Sequence, residues 1–166
     1  MGCDIHMHVE VKSPNGSWSH VFSPWCPRNY TLFGYLAGVR HHAKFPMEPQ
    51  GFPKDADYVT IEAYTEEIVS DEEYQNACES CFTGISQSKF EEYLAKGYVQ
   101  RFDEKRIVGQ DWHTVSHLNY GAFVMQLERA EREDSSVMLE YRAIANYMNT
   151  FESVDKETRI VFWFDN

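Results

Sequence analysis

The sequence predicts an α+β fold, a single domain over residues 1–166 in which helices pack on a mostly antiparallel sheet. Two alternating stretches joined by turn residues predict an N-terminal β-hairpin over residues 3–22. Residues 159–164 are apolar on both faces, which is typical of a strand in the centre of a sheet. Between these strands, several segments combine helical spacing of apolar residues with N-capping side chains.

The first strand is predicted from a period of two in residues 3–11, where apolar and polar residues alternate. The polar positions are Asp4, His6, His8 and Glu10. Turn residues follow at 14–16, and residues 18–22 alternate again. Residues 98–108 resemble a second hairpin that turns near residues 103–105.

Helix starts are predicted where a side chain can accept the first free backbone N–H groups. The candidate caps are Asn29, Ser70 with Glu73, Ser88 with Glu91, Asn119, and Ser135 or Ser136. The helix after Ser70 would carry Cys78 and Cys81 on its apolar stripe, so we expect both thiols to face the core. The prolines of residues 45–53 predict a loop of fixed shape.

Composition limits the classes of function. The chain is 43% hydrophobic and 15% aromatic, which predicts a folded globule. Its net charge of −11 would be repelled by phosphate backbones, so we expect no direct nucleic-acid binding. No apolar run approaches the ~20 residues that span a bilayer, and no targeting segment is visible at the start. The sequence therefore predicts a cytoplasmic protein that has no membrane partner.

The first strand carries a candidate metal site. His6 and His8 would lie on one face, about 6–7 Å apart at the backbone, which allows both to bind one divalent ion such as zinc or manganese. Asp4 or Glu10 could add a ligand or orient a ring. Equally, these residues could be the solvated face of an antiparallel strand.

A second histidine pair, His113 and His117, precedes the helix that Asn119 is predicted to cap. Free N–H groups at a helix start favour an anion, and the two imidazoles could act as general acid and base, ligate the metal or hold a phosphate. Alternatively, both are ordinary loop residues.

Arg28, Arg40 and Glu48 are the candidate ligand-binding residues. A guanidinium at a helix end can grip a carboxylate or phosphate through two hydrogen bonds. The structural alternative is that the arginines fix the proline-rich loop by pairing with Glu48 or Asp55.

Nine acidic residues and no Lys or Arg lie between Lys54 and Lys89. Such a run is usually a solvated surface. It could also mimic nucleic-acid phosphates and occupy the groove of a host nuclease or defence protein.

Several stretches resemble a group of phage, prophage and bacterial proteins. They are MGCDIH at the start, RNYTLFGYLAGVR (28–40), EPQGFPKD (48–55), the SHL of HTVSHL and RIVFWFDN at the end. Residues 56–110 have no counterpart. The resemblance implies a viral or mobile-element setting, in which small accessory proteins act on host defences or nucleotide pools, and it carries over no catalytic residue. It groups Asp4, His6, Arg28, Arg40, Glu48 and Asp165 as motif positions.

Two hypotheses follow. In the first, a pocket with a metal ion at His6 and His8 either hydrolyses or only binds a small anionic ligand that is phosphorylated or nucleotide-like. In the second, the chain is a non-catalytic acidic inhibitor of a host protein.

Overall fold

The structure is a computed structural model that describes residues 2–77, 84–135 and 139–165. The elements in chain order are β1 (Ile5–Lys12), β2 (Trp18–Phe22), α1 (Tyr30–Ala37), α2 (Tyr58–Tyr64), β3 (Thr65–Val69), α3 (Asp71–Asn76), β4 (Gly84–Ser86), α4 (Gln87–Ala95), β5 (Arg106–Val108), β6 (His113–Asn119), α5 (Tyr120–Glu133), α6 (Leu139–Glu152) and β7 (Thr158–Phe164).

The chain divides into two compact units. The first comprises Met1–Thr60 and His113–Asn166, and the second comprises Ile61–Trp112. The prediction of a single domain over residues 1–166 stays a prediction beside this division.

The first unit is built on a four-stranded antiparallel sheet of order β2-β1-β7-β6. The turn at residues 13–17 closes the β1–β2 hairpin, and β7 lies between β1 and β6. These strands confirm the predicted α+β class, the N-terminal hairpin and the central C-terminal strand.

One face of this sheet is apolar and packs on α1, α5 and α6. Ile5, Met7 and Val9 of β1 join Phe162 and Phe164 of β7 in this core. Asn29 caps α1 and Asn119 caps α5, as predicted, and each accepts a hydrogen bond from the backbone N–H three residues on.

The opposite face of the sheet carries the polar positions of β1. His6 pairs with Trp163 and Glu10 pairs with Arg159, so these side chains project to the same side. Trp163, Glu10 and Arg159 are all buried. The candidate site lies on this polar face.

The second unit contains a three-stranded sheet of order β4-β3-β5. Its small core is formed by Ile85, Phe90, Val99 and Ile107. Neither α2 nor β3 was predicted, because their short segment lacks a clear period.

One predicted helix cap in this unit is wrong. Ser86, not Ser88, caps α4, because the helix already begins at Gln87 and the Ser88 hydroxyl instead donates to Asp71. The hairpin predicted over residues 98–108 is present in a shorter form: Arg101 pairs with Ile107, and backbone hydrogen bonds join residues 100–103 to residues 106–108 around the turn expected near residues 103–105. On its other edge, β5 pairs with β3.

The helix capped by Ser70 is confirmed as α3, with a full capping box to Glu73. It ends at Asn76, and Cys78 and Cys81, which were predicted to continue its apolar stripe, fall outside the described residues. Within the described ranges, no helix combines the length and apolar character needed to cross a membrane.

Candidate functional site

The His6 imidazole is paired with a carboxylate from the far end of the chain. Its Nε2 lies 3.0 Å from Asp165 Oδ2, a residue directly after β7. The second carboxylate oxygen of Asp165 accepts the backbone N–H of Asp4 at 3.0 Å. Because both oxygens are engaged, the carboxylate is fixed, and it favours the tautomer of His6 that carries a proton on Nε2.

Asp4 is held by Arg28 in a two-pronged ion pair. Arg28 Nη2 donates to Asp4 Oδ2 at 2.7 Å, and its Nε donates to the other oxygen. These hydrogen bonds lower the pKa of Asp4 below its usual range. The structure therefore brings together Asp4, His6, Arg28 and Asp165, four of the motif positions.

Arg40 approaches the same segment from the end of α1. It hydrogen-bonds the buried thiol of Cys3, an interaction that opposes the rise in the thiol's pKa caused by burial. Arg40 adopts a left-handed backbone, with φ of 59°. That conformation is uncommon for a residue with a side chain and is often found near functional sites.

His8 is buried, with 7% of its surface exposed. Burial, reinforced by His20 and His6, lowers its pKa to about 4. The rings of His6 and His8 both stack on Trp163, with centroid distances of 5.8 and 5.0 Å. At neutral pH His8 is therefore a neutral imidazole that is largely buried and stacked on Trp163.

Ser23 and His20 join the site although sequence reasoning missed them. Ser23 Oγ lies 3.1 Å from His8 Nδ1 and 2.9 Å from His20 Nε2. A usable signal was the hairpin itself, because pairing of β2 with β1 places His20 on the same face as the polar positions of β1.

Several of these side chains, those of Asp4, His6, His8, Ser23 and Asp165, line a cleft of about 370 Å³. We call it the His6 cleft; residues 4–8, 23–26 and 165 line it. Trp25 is 76% exposed at this cleft. The cleft thus offers a carboxylate-paired imidazole, a hydroxyl between two further imidazoles, and an open aromatic surface.

Glu10 lies on the same strand face but serves a different purpose. Its buried carboxylate accepts from Arg159 Nε at 2.7 Å and from the backbone N–H of Asp57 at 2.9 Å. Arg159 also donates to Asp55 Oδ1 at 2.8 Å and lies 4.0 Å from the centre of the Trp18 ring. Asp55 is thus bound to Arg159, and Arg28 is bound to Asp4 instead of the Glu48 or Asp55 considered for it.

His113 and His117 do not meet each other. They lie on β6, a strand that was not predicted, because residues 116–119 pair with β7. His113 pairs with Phe164 and His117 with Val161, which face opposite sides of the sheet. The His113 ring stacks on Phe164 in the apolar layer, whereas His117 Nδ1 contacts the backbone oxygen of Gly51 at 3.1 Å.

His117 lines a larger, separate cleft of about 880 Å³, which we call the Arg159 cleft; Lys12, Trp18, Asp55 and Arg159 also line it. Its cations are already paired, Arg159 with two carboxylates and Lys12 with Glu157. A ligand would have to displace these pairs. We take the smaller His6 cleft as the candidate site because it contains the pair of His6 and Asp165, which are motif positions together with Asp4.

The predicted ligands of a metal ion are directed to different partners. Asp4 is bound to Arg28, and Glu10 to Arg159. In the part of the chain that the structure describes, no group of three His, Cys, Asp or Glu side chains is arranged to hold an ion.

Glu48, a candidate ligand-binding residue, is exposed, and its backbone oxygen accepts a hydrogen bond from the side chain of Gln50.

The acidic run does not lie on one element. Asp55 and Asp57 belong to the first unit, and the remaining acids that are described belong to the second. Asp71 and Glu73 bond serine side chains at helix starts. Burial raises the pKa of Glu66. Several of the acids thus have local structural roles.

Comparison with protein-family models, with curated proteins and with solved structures gave no match to this chain. The resemblance to phage and prophage proteins stays a prediction from motifs.

Proposed function

We propose that the His6 cleft binds a small phosphorylated or nucleotide-like molecule and hydrolyses it, in the mobile-element setting that the motifs imply. The observation that carries this proposal is the 3.0 Å pair between His6 Nε2 and Asp165 Oδ2 at the cleft. A carboxylate that orients an imidazole is a recurring device for moving a proton in hydrolysis.

The surroundings of the pair fit a nucleotide-like ligand. Trp25 lines both the His6 cleft and a neighbouring apolar cleft of about 570 Å³, so a planar base has an open ring on which to stack. Arg28 and Arg40 both interact with residues 3–4 beside the cleft. Their two charges offset the carboxylates of Asp4 and Asp165, which allows a phosphate to approach.

The test is phosphate release from p-nitrophenyl phosphate and a panel of nucleotides, using untagged protein. We expect His6→Gln and Asp165→Asn each to lower turnover by about 100-fold, the usual contribution of a positioned acid–base group. His41→Gln is the matched control, because His41 forms a similar pair with Glu133, 2.8 Å apart and away from the cleft. Release that is equal in all four proteins would refute the proposal.

The divalent-ion hypothesis is tested in the same assay. Zinc and manganese content is measured on the untagged protein, and turnover is measured after chelation and after each ion is restored. If His6→Gln loses bound metal and His41→Gln keeps it, a divalent ion is part of the site. If chelation leaves turnover unchanged, hydrolysis does not depend on a metal ion.

A further inference from the structure

The hydroxyl of Ser23 bridges two imidazoles, those of His8 and His20. The two distances, 3.1 Å to His8 Nδ1 and 2.9 Å to His20 Nε2, are both those of hydrogen bonds. The two rings also contact each other, with centroids 5.2 Å apart. Residues from both strands of the hairpin thus converge on one serine oxygen.

Because both rings bond the same hydroxyl, one must accept a hydrogen bond from it and the other must donate one to it. A serine hydroxyl has a single proton, so it can donate to only one of the two nitrogens. The other nitrogen must then carry a proton and donate to Oγ. One imidazole is consequently placed to remove the proton of Ser23, and the other to stabilise the resulting oxyanion.

Ser23 is also accessible and restrained. It follows the last residue of β2, and Pro24 limits its backbone to extended conformations. It is exposed and lines the His6 cleft, which also contains His6 and Asp165. A reactive group on a fixed backbone beside an acid–base pair is the arrangement that nucleophilic catalysis requires.

The cysteine in the same cleft is unsuited to this role. Cys26 is buried, and burial raises the pKa of its thiol to about 12. A thiol with that pKa contains almost no thiolate at neutral pH. The hydroxyl of Ser23 is the better candidate.

We propose that Ser23 is a catalytic nucleophile that attacks the phosphorus of a phosphate ester bound in the His6 cleft. This inference rests on the proposed function and specifies its mechanism. The Oγ–P bond forms as the P–O bond to the leaving group breaks. The proton of Ser23 passes to the accepting imidazole and then to the leaving oxygen, and water afterwards cleaves the Oγ–P bond.

The test is labelling of the full chain with a fluorophosphonate, followed by peptide mass mapping. Oγ attacks phosphorus, fluoride leaves, and the proton passes through the imidazole to solvent. We expect one adduct, on Ser23, that is absent in Ser23→Ala. His20→Gln should slow labelling by about 100-fold through loss of acid–base assistance. Ser19→Ala is the matched control, because Ser19 lies on the same strand and bonds Ser13.

Labelling separates this inference from the proposed function. An adduct on Ser23 without phosphate release from any ester would support the nucleophile and refute the hydrolysis of phosphorylated ligands. Phosphate release that depends on His6 but persists in Ser23→Ala would overturn the nucleophile and leave the proposed function standing. The absence of an adduct, or labelling at the same rate in His20→Gln, would also overturn it.

Discussion

A buried imidazole is the residue whose ionisation contributes most clearly to the stability of this chain. His8 is 7% exposed and has a pKa of about 4, against an ordinary value of about 6.5. The unfolded chain therefore binds a proton at a pH where the folded chain does not. Between these two values, the free energy of unfolding falls as the pH falls.

We expect the pH dependence of stability to weaken in His8→Gln. Two and a half pKa units correspond to about 3 kcal/mol, most of it lost between pH 6.5 and pH 4. Urea unfolding at pH 7 and pH 5 measures the effect in wild type, in His8→Gln and in His42→Gln, an exposed control. If wild type and His8→Gln lose equal stability, His8 is not buried as a neutral ring.

The sequence predicted which face of β1 its polar side chains share, but not the partners of those side chains. The alternation in β1 was sufficient to place four polar side chains on one face. It could not supply their partners, because these come from distant parts of the chain. The partners are Arg28 for Asp4, Asp165 for His6, Ser23 for His8 and Arg159 for Glu10.

Among the elements, β1 and β7 are joined by a buried ion pair. Glu10 is fully buried, and Arg159 is 5% exposed. Removing one member of such a pair leaves an uncompensated buried charge, whereas replacing both with apolar residues costs much less. The pair also fastens residues 55–57 to the sheet.

We expect Glu10→Leu and Arg159→Met each to lower the free energy of unfolding by about 3–5 kcal/mol, and the double variant to lose less than the sum. The matched control is the exposed pair of Lys12 and Glu157, for which substitution should cost below about 1 kcal/mol. Urea unfolding of each variant gives the values. Equal costs at the two pairs would contradict the burial argument.

Substitution by alanine at two helical glycines should change the free energy of unfolding in opposite directions. In α1, a Cβ at Gly34 would lie 2.7 Å from His41 Cβ and 2.9 Å from its backbone oxygen. Gly34→Ala should therefore destabilise, by about 1–3 kcal/mol. In α5, a Cβ at Gly121 would meet only Asn119 Oδ1, at 3.8 Å, so Gly121→Ala should stabilise by up to about 1 kcal/mol.

Thermal or urea unfolding of both alanine variants tests the difference. A Gly34→Ala protein that is as stable as wild type would show that α1 and the segment after it do not approach so closely.

Elements with strong local signals were predictable, and those without them were not. Asn29, Ser70 and Asn119 each cap the helix expected of them, because capping is a local interaction. Strand β6 was not predicted, because its polar residues do not alternate clearly and its pairing with β7 is long-range. The register of β6 against β7, which places His113 and His117 on opposite faces of the sheet, is also set by long-range pairing and could not be predicted.

For the whole molecule, the central feature is that the two ends of the chain meet. The backbone N–H of Asp165 donates to the oxygen of Asp4 at 3.2 Å, and β1 pairs with β7 along its length. The resemblance grouped Asp4, His6 and Asp165 as motif positions, but it did not predict that they lie side by side. The sequence could not show that their meeting point is a cleft, because that depends on the covering segment at residues 23–26.

The most direct test is an NMR titration of untagged protein with a nucleoside monophosphate, following histidine ring and tryptophan indole signals. We expect saturation with the nucleotide to shift the signals of His6 and Trp25 and to leave those of His41 unchanged. Shifts confined to His117 and Trp18 would place the ligand in the Arg159 cleft and contradict the proposal. A titration without shifts at His6 would contradict it as well.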